Sequence, residues 1–590
     1  MKGKSFSDRI SLLRTRYLTG QQFIYLLAAV VGLLVGLAAV LIKDLVYIIS
    51  YFLHKEYAGG YHNYLFIVFP VVGIALVLLF IQYVNRKPVR HGIPGVLFAI
   101  SKNNGIIRSH NMYSSIITSA LTVGFGGSVG LEGPSVVTGA AIGSNLGRVL
   151  KLSYKETILL ISCGTAGVVS AIFKAPITGV VFALEVIMLD LTAWGVIPLI
   201  LASVMGAMTS YLFLGQNTIY SFDLVETFRM NQVHFYVLLG LFSGLISAYF
   251  AKVYIWLSGL FDRIKSVWQR LLIAGALLGA LIFFLPPLFG EGYEIVNQCL
   301  SGNVSALFQG TFFESWQSSF VLVILYFILV IGFKAIATTL TFAAGGIGGI
   351  FAPALFMGAG SGLLFGVVLN QFGVDVSLSN MALIGMAGIM AGVIHAPLTS
   401  IFMIAEITGG HQLLLPLMIV STISYVTTRY FASNSVYTVQ LAKRGELMTH
   451  HKDRNILIMM KVTDLIETNF NTVRPDDTLG DLVKVITNSR RNIFPVTDEE
   501  NNFLGIVKMD DIRHIMFNQN MYNTTYVRDL LFVPEVTIDK NEQMEEVARK
   551  FSSSDKYNIA VLDKGKYIGF VSRARVFSSY REMLKTFSDD

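Results

Sequence analysis

Long runs without a single charged side chain restrict what this chain can fold into more than any other feature. Those at 23–42, 64–84, 233–251 and 319–333 with its flanks reach about 20 apolar residues, the length of helix that crosses the hydrocarbon of a bilayer. They predict conventional transmembrane helices. The uncharged runs at 191–222 and 335–374 differ, because glycine and isolated prolines cut them repeatedly. Short, tilted or discontinuous helices are expected there. Lipid tolerates broken backbone only where protein buries it or where it lines a polar cavity, so the breaks point to a permeation site. A composition of 53% hydrophobic against 14% charged residues excludes an ordinary soluble protein. The charges are also segregated, with 45 from Lys443 onward against 38 in the first 442 residues. Two domains in two solvents follow. The net charge of +7 is dispersed, as in the cytoplasmic flanks of membrane proteins, and nucleic acid is set aside as a partner. Lys2, Lys4, Arg9, Arg14 and Arg16 against Asp8 place the N-terminus in the cytoplasm by the positive-inside rule, with no cleavable signal peptide. Cys163 and Cys299 make neither a disulfide framework nor a metal site.

The membrane part repeats itself. Gly164, Ala166, Gly167, Ala175, Pro176, Thr178 and Glu185 recur 221 residues later as Gly385, Ala387, Gly388, Ala396, Pro397, Thr399 and Glu406. Upstream, Gly130, Pro134, Gly139, Ala140 and Gly143 recur as Gly349, Pro353, Gly358, Ala359 and Gly362. In membrane transporters such halves usually form an inverted repeat with the substrate at their junction.

Three motifs share one chemistry: His91-Gly92-Ile93-Pro94, Gly130-Leu131-Glu132-Gly133-Pro134 and Gly349-Ile350-Phe351-Ala352-Pro353. Proline can open a helix, since its missing N–H is one that no helix start satisfies internally. The residues before it, His91, Gly92, Ile93, Gly133, Ile350 and Phe351, leave amides at the positive end of the helix dipole. Such an end stabilises an anion without a lysine, loosely enough for it to leave. Glu132 is the single charged residue between Arg108 and Arg148, and a carboxylate in lipid is a functional candidate by default. It can occupy the donors an anion would use. Deprotonated it blocks; protonated it swings away. Burial favours its neutral form and the helix end its charged one. A local capping carboxylate without a transport role is the bland alternative.

With these motifs in type, order and spacing, the stretch 20–445 resembles the chloride channel and chloride/proton antiporter (CLC) family. The resemblance implies an all-α polytopic membrane fold of two inverted repeats, about 20–225 and 230–445, with broken helices, assembled as a homodimer with one pore per subunit. It implies that Glu132 is the external gate, that the amides of Ile350 and Phe351 line the central anion site, and that Tyr437 adds a phenol hydroxyl. An interfacial aromatic anchor would otherwise be the reading of Tyr437. Two positions depart from the pattern. His91 stands where most relatives have serine or proline, so selectivity and pH response hang on whether its imidazole faces the anion or bonds a backbone carbonyl. Val186 stands where coupled antiporters carry an internal glutamate, which favours a passive chloride channel. Glu185, adjacent to it, keeps a water-bridged proton path open, while its repeat partner Glu406 is expected to serve structure.

The tail is also duplicated: Val462, Asp464 and Leu465 recur as Val527, Asp529 and Leu530, Asn492-Ile493 as Asn558-Ile559, and Gly505 and Val507 as Gly569 and Val571. Each unit reads strand, helix, strand, strand, helix and resembles a cystathionine β-synthase-type (CBS) module. The expected organisation is a cytosolic segment 1–19, the transport domain 20–445, a linker 446–460 and α/β modules 461–520 and 521–590 in the cytoplasm. The resemblance implies an adenine nucleotide held through a ribose-binding aspartate, a place that Asp511 fits and Arg575 does not; a purely structural, dimer-stabilising tail is the alternative. No cofactor is required for transport. Chloride and protons are the expected partners, with exchange, or another anion such as nitrate or bicarbonate, as alternatives; fluoride is disfavoured by the GLEGP-type motif. No nucleotide-binding Gly-Lys motif, metal-ligand cluster or nucleophile constellation marks an enzyme. Compact loops suggest a bacterial inner membrane.

Overall fold

A computed structural model describes residues 19–57, 65–87, 92–187, 193–216, 220, 228–309, 311–439, 457, 460–554 and 556–588. His91, most of the N-terminal segment and most of the linker lie outside them. Contacts divide the chain into two compact units that meet between Leu447 and Met448.

Among the described residues, the first unit consists of helices in two sets of eight. The first half holds α1 (Gly20–Tyr57), α2 (Leu65–Leu79), α3 (Gly92–Lys102), α4 (Asn111–Gly124), α5 (Glu132–Val149), α6 (Tyr154–Phe173), α7 (Pro176–Val186) and α8 (Ala193–Leu214). The second holds α9 (Val233–Phe261), α10 (Val267–Phe284), α11 (Tyr293–Leu300), α12 (Phe320–Ala343), α13 (Phe351–Gln371), α14 (Leu378–Ile394), α15 (Pro397–Thr408) and α16 (Leu414–Phe431). Nine described helices are long and apolar enough to cross a membrane, while α7, α14 and α15 are shorter apolar helices. The chain is a multi-pass membrane protein; the run 335–374 is broken between α12 and α13, whereas 191–222, where short or discontinuous helices are expected, holds the continuous α8, which passes through Pro198. Three long helices, α6, α10 and α16, lie outside the runs that the hydropathy pattern marks; of all nine, the most enclosed are α6 and α13. Both are largely buried inside the protein, where small and polar residues replace the leucines that face lipid.

The sequence repeat reappears as matched geometry. Lys174 and His395 both end a helix in the left-handed region, at φ 53° and 58°, and each precedes an Ala-Pro pair that starts the next helix at its first residue, as proline permits. A Cβ on Gly139 would lie 2.3 Å from the Gly164 carbonyl oxygen, and one on Gly358 would lie 2.7 Å from that of Gly385. Thus α5 touches α6, and α13 touches α14, backbone to backbone, an approach only glycine allows. The halves also clasp each other. The Ser128 amide donates to Thr341 Oγ1 at 3.2 Å, and the Ile347 amide to Thr122 Oγ1 at 3.0 Å.

The second unit is α/β. Its first sheet pairs β1 (Ile493–Thr497) with β2 (Phe503–Lys508) antiparallel, and its second runs β3 (Ile538–Asp539), β4 (Asn558–Asp563), β5 (Lys566–Ser572). Helices α17 (Leu479–Thr487) and α20 (Met544–Ser554) cover these sheets, with short turns α18 (Met509–Ile512) and α19 (Val527–Leu530) and the closing α21 (Arg573–Ser588). The leading strand expected in the first module is a single bridge, Val473 to Val496, because Pro475 and a turn closed by the Arg474 amide on Asp477 follow at once. Each module also completes the other's core. Met460, Val462 and Leu465 pack with Ile538, Phe551 and Val561, whereas Val527 packs with Leu479, Phe494 and Val507. Part-burial alone would push Glu467 up, yet hydrogen bonds from Ser572 at 2.6 Å and Arg491 at 2.7 Å hold it below the usual glutamate range.

Candidate functional site

Helix starts converge at the junction of the halves. Gly130 and Gly349 exchange two backbone hydrogen bonds, 2.9 and 2.7 Å long, which fixes the first turn of α5 beside that of α13. Gly92, at φ 52°, brings α3 to the same place: a Cβ on it would meet Gly133 Cα at 3.9 Å. Neither Leu131 nor Ile350, the N-cap residues of α5 and α13, offers a side-chain cap. Their first-turn amides therefore remain for whatever fills the space between. Two positive dipole ends facing one gap suit a single negative charge.

Glu132 stands at that gap, 1% exposed. Its Oε2 lies where a Cβ on Gly130 or Gly349 would go, 2.1 and 2.8 Å from those ideal positions. Its own amide and that of Ala352 are near, but neither carboxylate oxygen completes a hydrogen bond with a described residue. A cavity of about 150 Å³ adjoins, lined by Gly92, Pro94, Gly133, Gly349, Ile350 and Tyr437 among others. The Tyr437 hydroxyl is buried without a hydrogen-bond partner among the described residues. Of the residues singled out from sequence, Gly92, Gly133, Ile350 and Tyr437 are thus brought together around one space. Ile93 and Phe351 are fully buried, and the Phe351 ring packs 5.6 Å from Phe182 and 6.4 Å from Tyr437.

Glu185 sits elsewhere, in a reciprocal clasp. Its carboxylate accepts from the Leu398 and Thr399 amides at 3.2 and 2.7 Å and from the Thr399 hydroxyl, capping α15. Glu406 does the same for α7, accepting from Ile177, Thr178 and the Thr178 hydroxyl. Each helix carries the other's cap. Glu185→Ala and Glu406→Ala are expected to destabilise the membrane unit by similar amounts, about 1–2 kcal/mol, as thermal unfolding in detergent will show; unequal losses would contradict the paired role. Asp511 lies exposed on α18 in the second unit.

Three charged groups outside the sequence motifs lie around Glu132 and the loop that leads to it. Lys334, fully buried on α12, reaches Ser128 Oγ at 2.9 Å and the Gly290 carbonyl at 3.1 Å, over the Phe356 ring. Lys43 on α1 donates to the Ile172 carbonyl at 2.5 Å. Glu291 accepts from the Leu131 amide at 3.3 Å. A lone lysine inside an apolar run is a readable signal. Glu291 had none, since its Gly-Glu-Gly setting reads as a surface turn.

Comparison with known proteins agrees with this architecture. Residues 73–429 match the family model described as voltage gated chloride channel, and 462–518 and 527–582 each match the CBS domain. A candidate ClcB-like chloride channel protein of Ralstonia nicotianae is 31% identical over 391 residues, 64% of this chain and 85% of that protein. An uncharacterized protein of Methanocaldococcus jannaschii is 30% identical over 407 residues, 68% of this chain and 92% of that protein. Among solved structures, a slow cyanobacterial Cl−/H+ antiporter superposes with a TM-score of 0.60 at 22% identity, covering 72% of this chain and 98% of its own. A eukaryotic CLC transporter does so at 0.59 and 18% identity, over 96% of this chain and 98% of its own. At such identities these two show the fold alone.

Proposed function

The chain belongs to the voltage-gated chloride channel family, whose members move anions across membranes, and from that premise we propose that it conducts chloride through one pore per subunit of a homodimer, opened when Glu132 takes a proton. One observation carries this reading: a buried carboxylate occupies the gap between two uncapped helix starts, beside a cavity lined by Gly92, Gly133, Ile350 and Tyr437. A carboxylate and a halide cannot both fill that gap cheaply, because like charges at short range in a dry site repel by several kcal/mol at an effective dielectric near 20, on the order of 4 at 4 Å. Protonation removes the competitor. The basic excess of the first 18 residues supports a cytoplasmic N-terminus, and compact loops favour a bacterial inner membrane with the tail on the cytoplasmic side.

Chloride/proton exchange is the second reading, kept by the buried acid itself. The Glu185 carboxylate is engaged by three donors on α15, and Val186 beside it carries no proton, which supports conduction. An adenine nucleotide on the tail would rest on Asp511 alone, since Arg575 holds the second position. Purified protein in liposomes under combined chloride and pH gradients separates the readings. A reversal potential that follows chloride only is expected; one displaced by the pH gradient at a fixed ratio overturns conduction in favour of exchange.

A further inference from the structure

Glu291 is a charged group beside the gate that the proposed function leaves unused. It lies between two glycines in the left-handed region, Gly290 at φ 59° and Gly292 at φ 81°. The turn is pinned to the gate's own loop, with the Gly290 amide donating to the Gly126 carbonyl at 3.1 Å. From there the Glu291 carboxylate reaches the Leu131 amide, the last donor before Glu132. The Tyr293 side chain lies beside it. Unlike Glu132, which is sealed, Glu291 is only partly buried.

Its charge environment is explicit. Lys43 from α1 and Lys334 from α12 act on Glu291, Lys43 acts on Glu132 as well, and the two carboxylates act on each other; Tyr220, Tyr293 and Tyr437 face the carboxylates, and Lys174 faces Lys43. Two lysines balance two ionised carboxylates. The count is unchanged when Glu132 takes a proton and one monovalent anion takes its place. Without the Glu291 charge, the balance favours an ionised Glu132.

We propose that Glu291 is the positioning residue of the gate: it seats the Leu131 amide at the head of α5 and, through its negative charge, sets the acidity at which Glu132 yields to the anion. This rests on Glu132 being the gate.

Glu291→Gln keeps an acceptor oxygen for the Leu131 amide and removes the charge. With full-length protein in liposomes, chloride efflux followed against pH is expected to show its acid activation shifted by about one unit to lower pH, with maximal flux within about twofold of the parent. Lys43→Gln keeps an N–H donor, removes a positive charge and should shift the midpoint the opposite way. Opposite shifts are what a merely structural role does not produce. Parent-like midpoints in both variants, or shifts in one direction, overturn the proposal. In a Glu132→Gln background neither substitution should restore or move an acid response; one that persists there also overturns it. A Glu132→Gln protein with the parent's pH profile would instead remove the gate reading, a separate failure.

Discussion

Glu132→Gln is expected to conduct at neutral pH as the parent does in acid, with no further activation as the pH falls. Glutamine has the shape of the protonated acid and cannot ionise, so it never competes for the amides at the heads of α5 and α13. The size of the effect follows from what the carboxylate gains there. A charge at a partly buried helix end gains up to about 2 kcal/mol, and two helix starts meet at this gap. Removing the competitor therefore opens the site by a factor on the order of ten to a hundred at neutral pH. Chloride efflux from liposomes between acid and neutral pH measures it. A variant that tracks the parent at every acidity removes the competition between carboxylate and anion from the mechanism.

Gly349→Ala is expected to silence transport, with more than a tenfold loss of flux and a stability cost of about 1–3 kcal/mol, the range for forcing an extra methyl into a packed site. The added Cβ would stand 2.7 Å from the Gly133 amide nitrogen and 2.8 Å from Glu132 Oε2. The first neighbour is backbone and cannot swing aside. Relief must come by spreading the Gly130–Gly349 pair, which pulls the two helix starts apart and destroys the gap between them. Gly259→Ala, on α9 with nothing within 4 Å of the new methyl, is the control. It should keep parental flux and gain a few tenths to about 1 kcal/mol from helix propensity. Equal behaviour of the two variants would show that the close approach of α5 and α13 has no bearing on conduction.

Much of the machinery was legible in the chain. Glu132 stood out because a lone acid in a long uncharged run has few structural uses in lipid. The repeat showed because small residues at helix contacts tolerate no substitution in size: Gly139, Gly164, Gly358 and Gly385 lie backbone to backbone, so their spacing survives in both halves. Adjacency to Val186 makes Glu185 a proton-path candidate in the sequence, and only its partners in space show the clasp with α15. Tyr437 could be named only through family resemblance, since nothing local separates it from the other tyrosines.

Sequence alone determined the lipid-embedded class, the duplicated halves and the residues able to start a helix with bare amides, because hydropathy, glycine spacing and proline stereochemistry are local properties written position by position. Tertiary structure decided which of those starts face each other, that Glu185 and Glu406 cap each other's helices, that the tail modules exchange core residues, and that Glu291 and Lys43 stand beside Glu132 with Lys334 beside Glu291. Those outcomes join residues well separated along the chain, and an electrostatic field or a backbone contact depends on distance in space, which the order of residues along a chain does not contain.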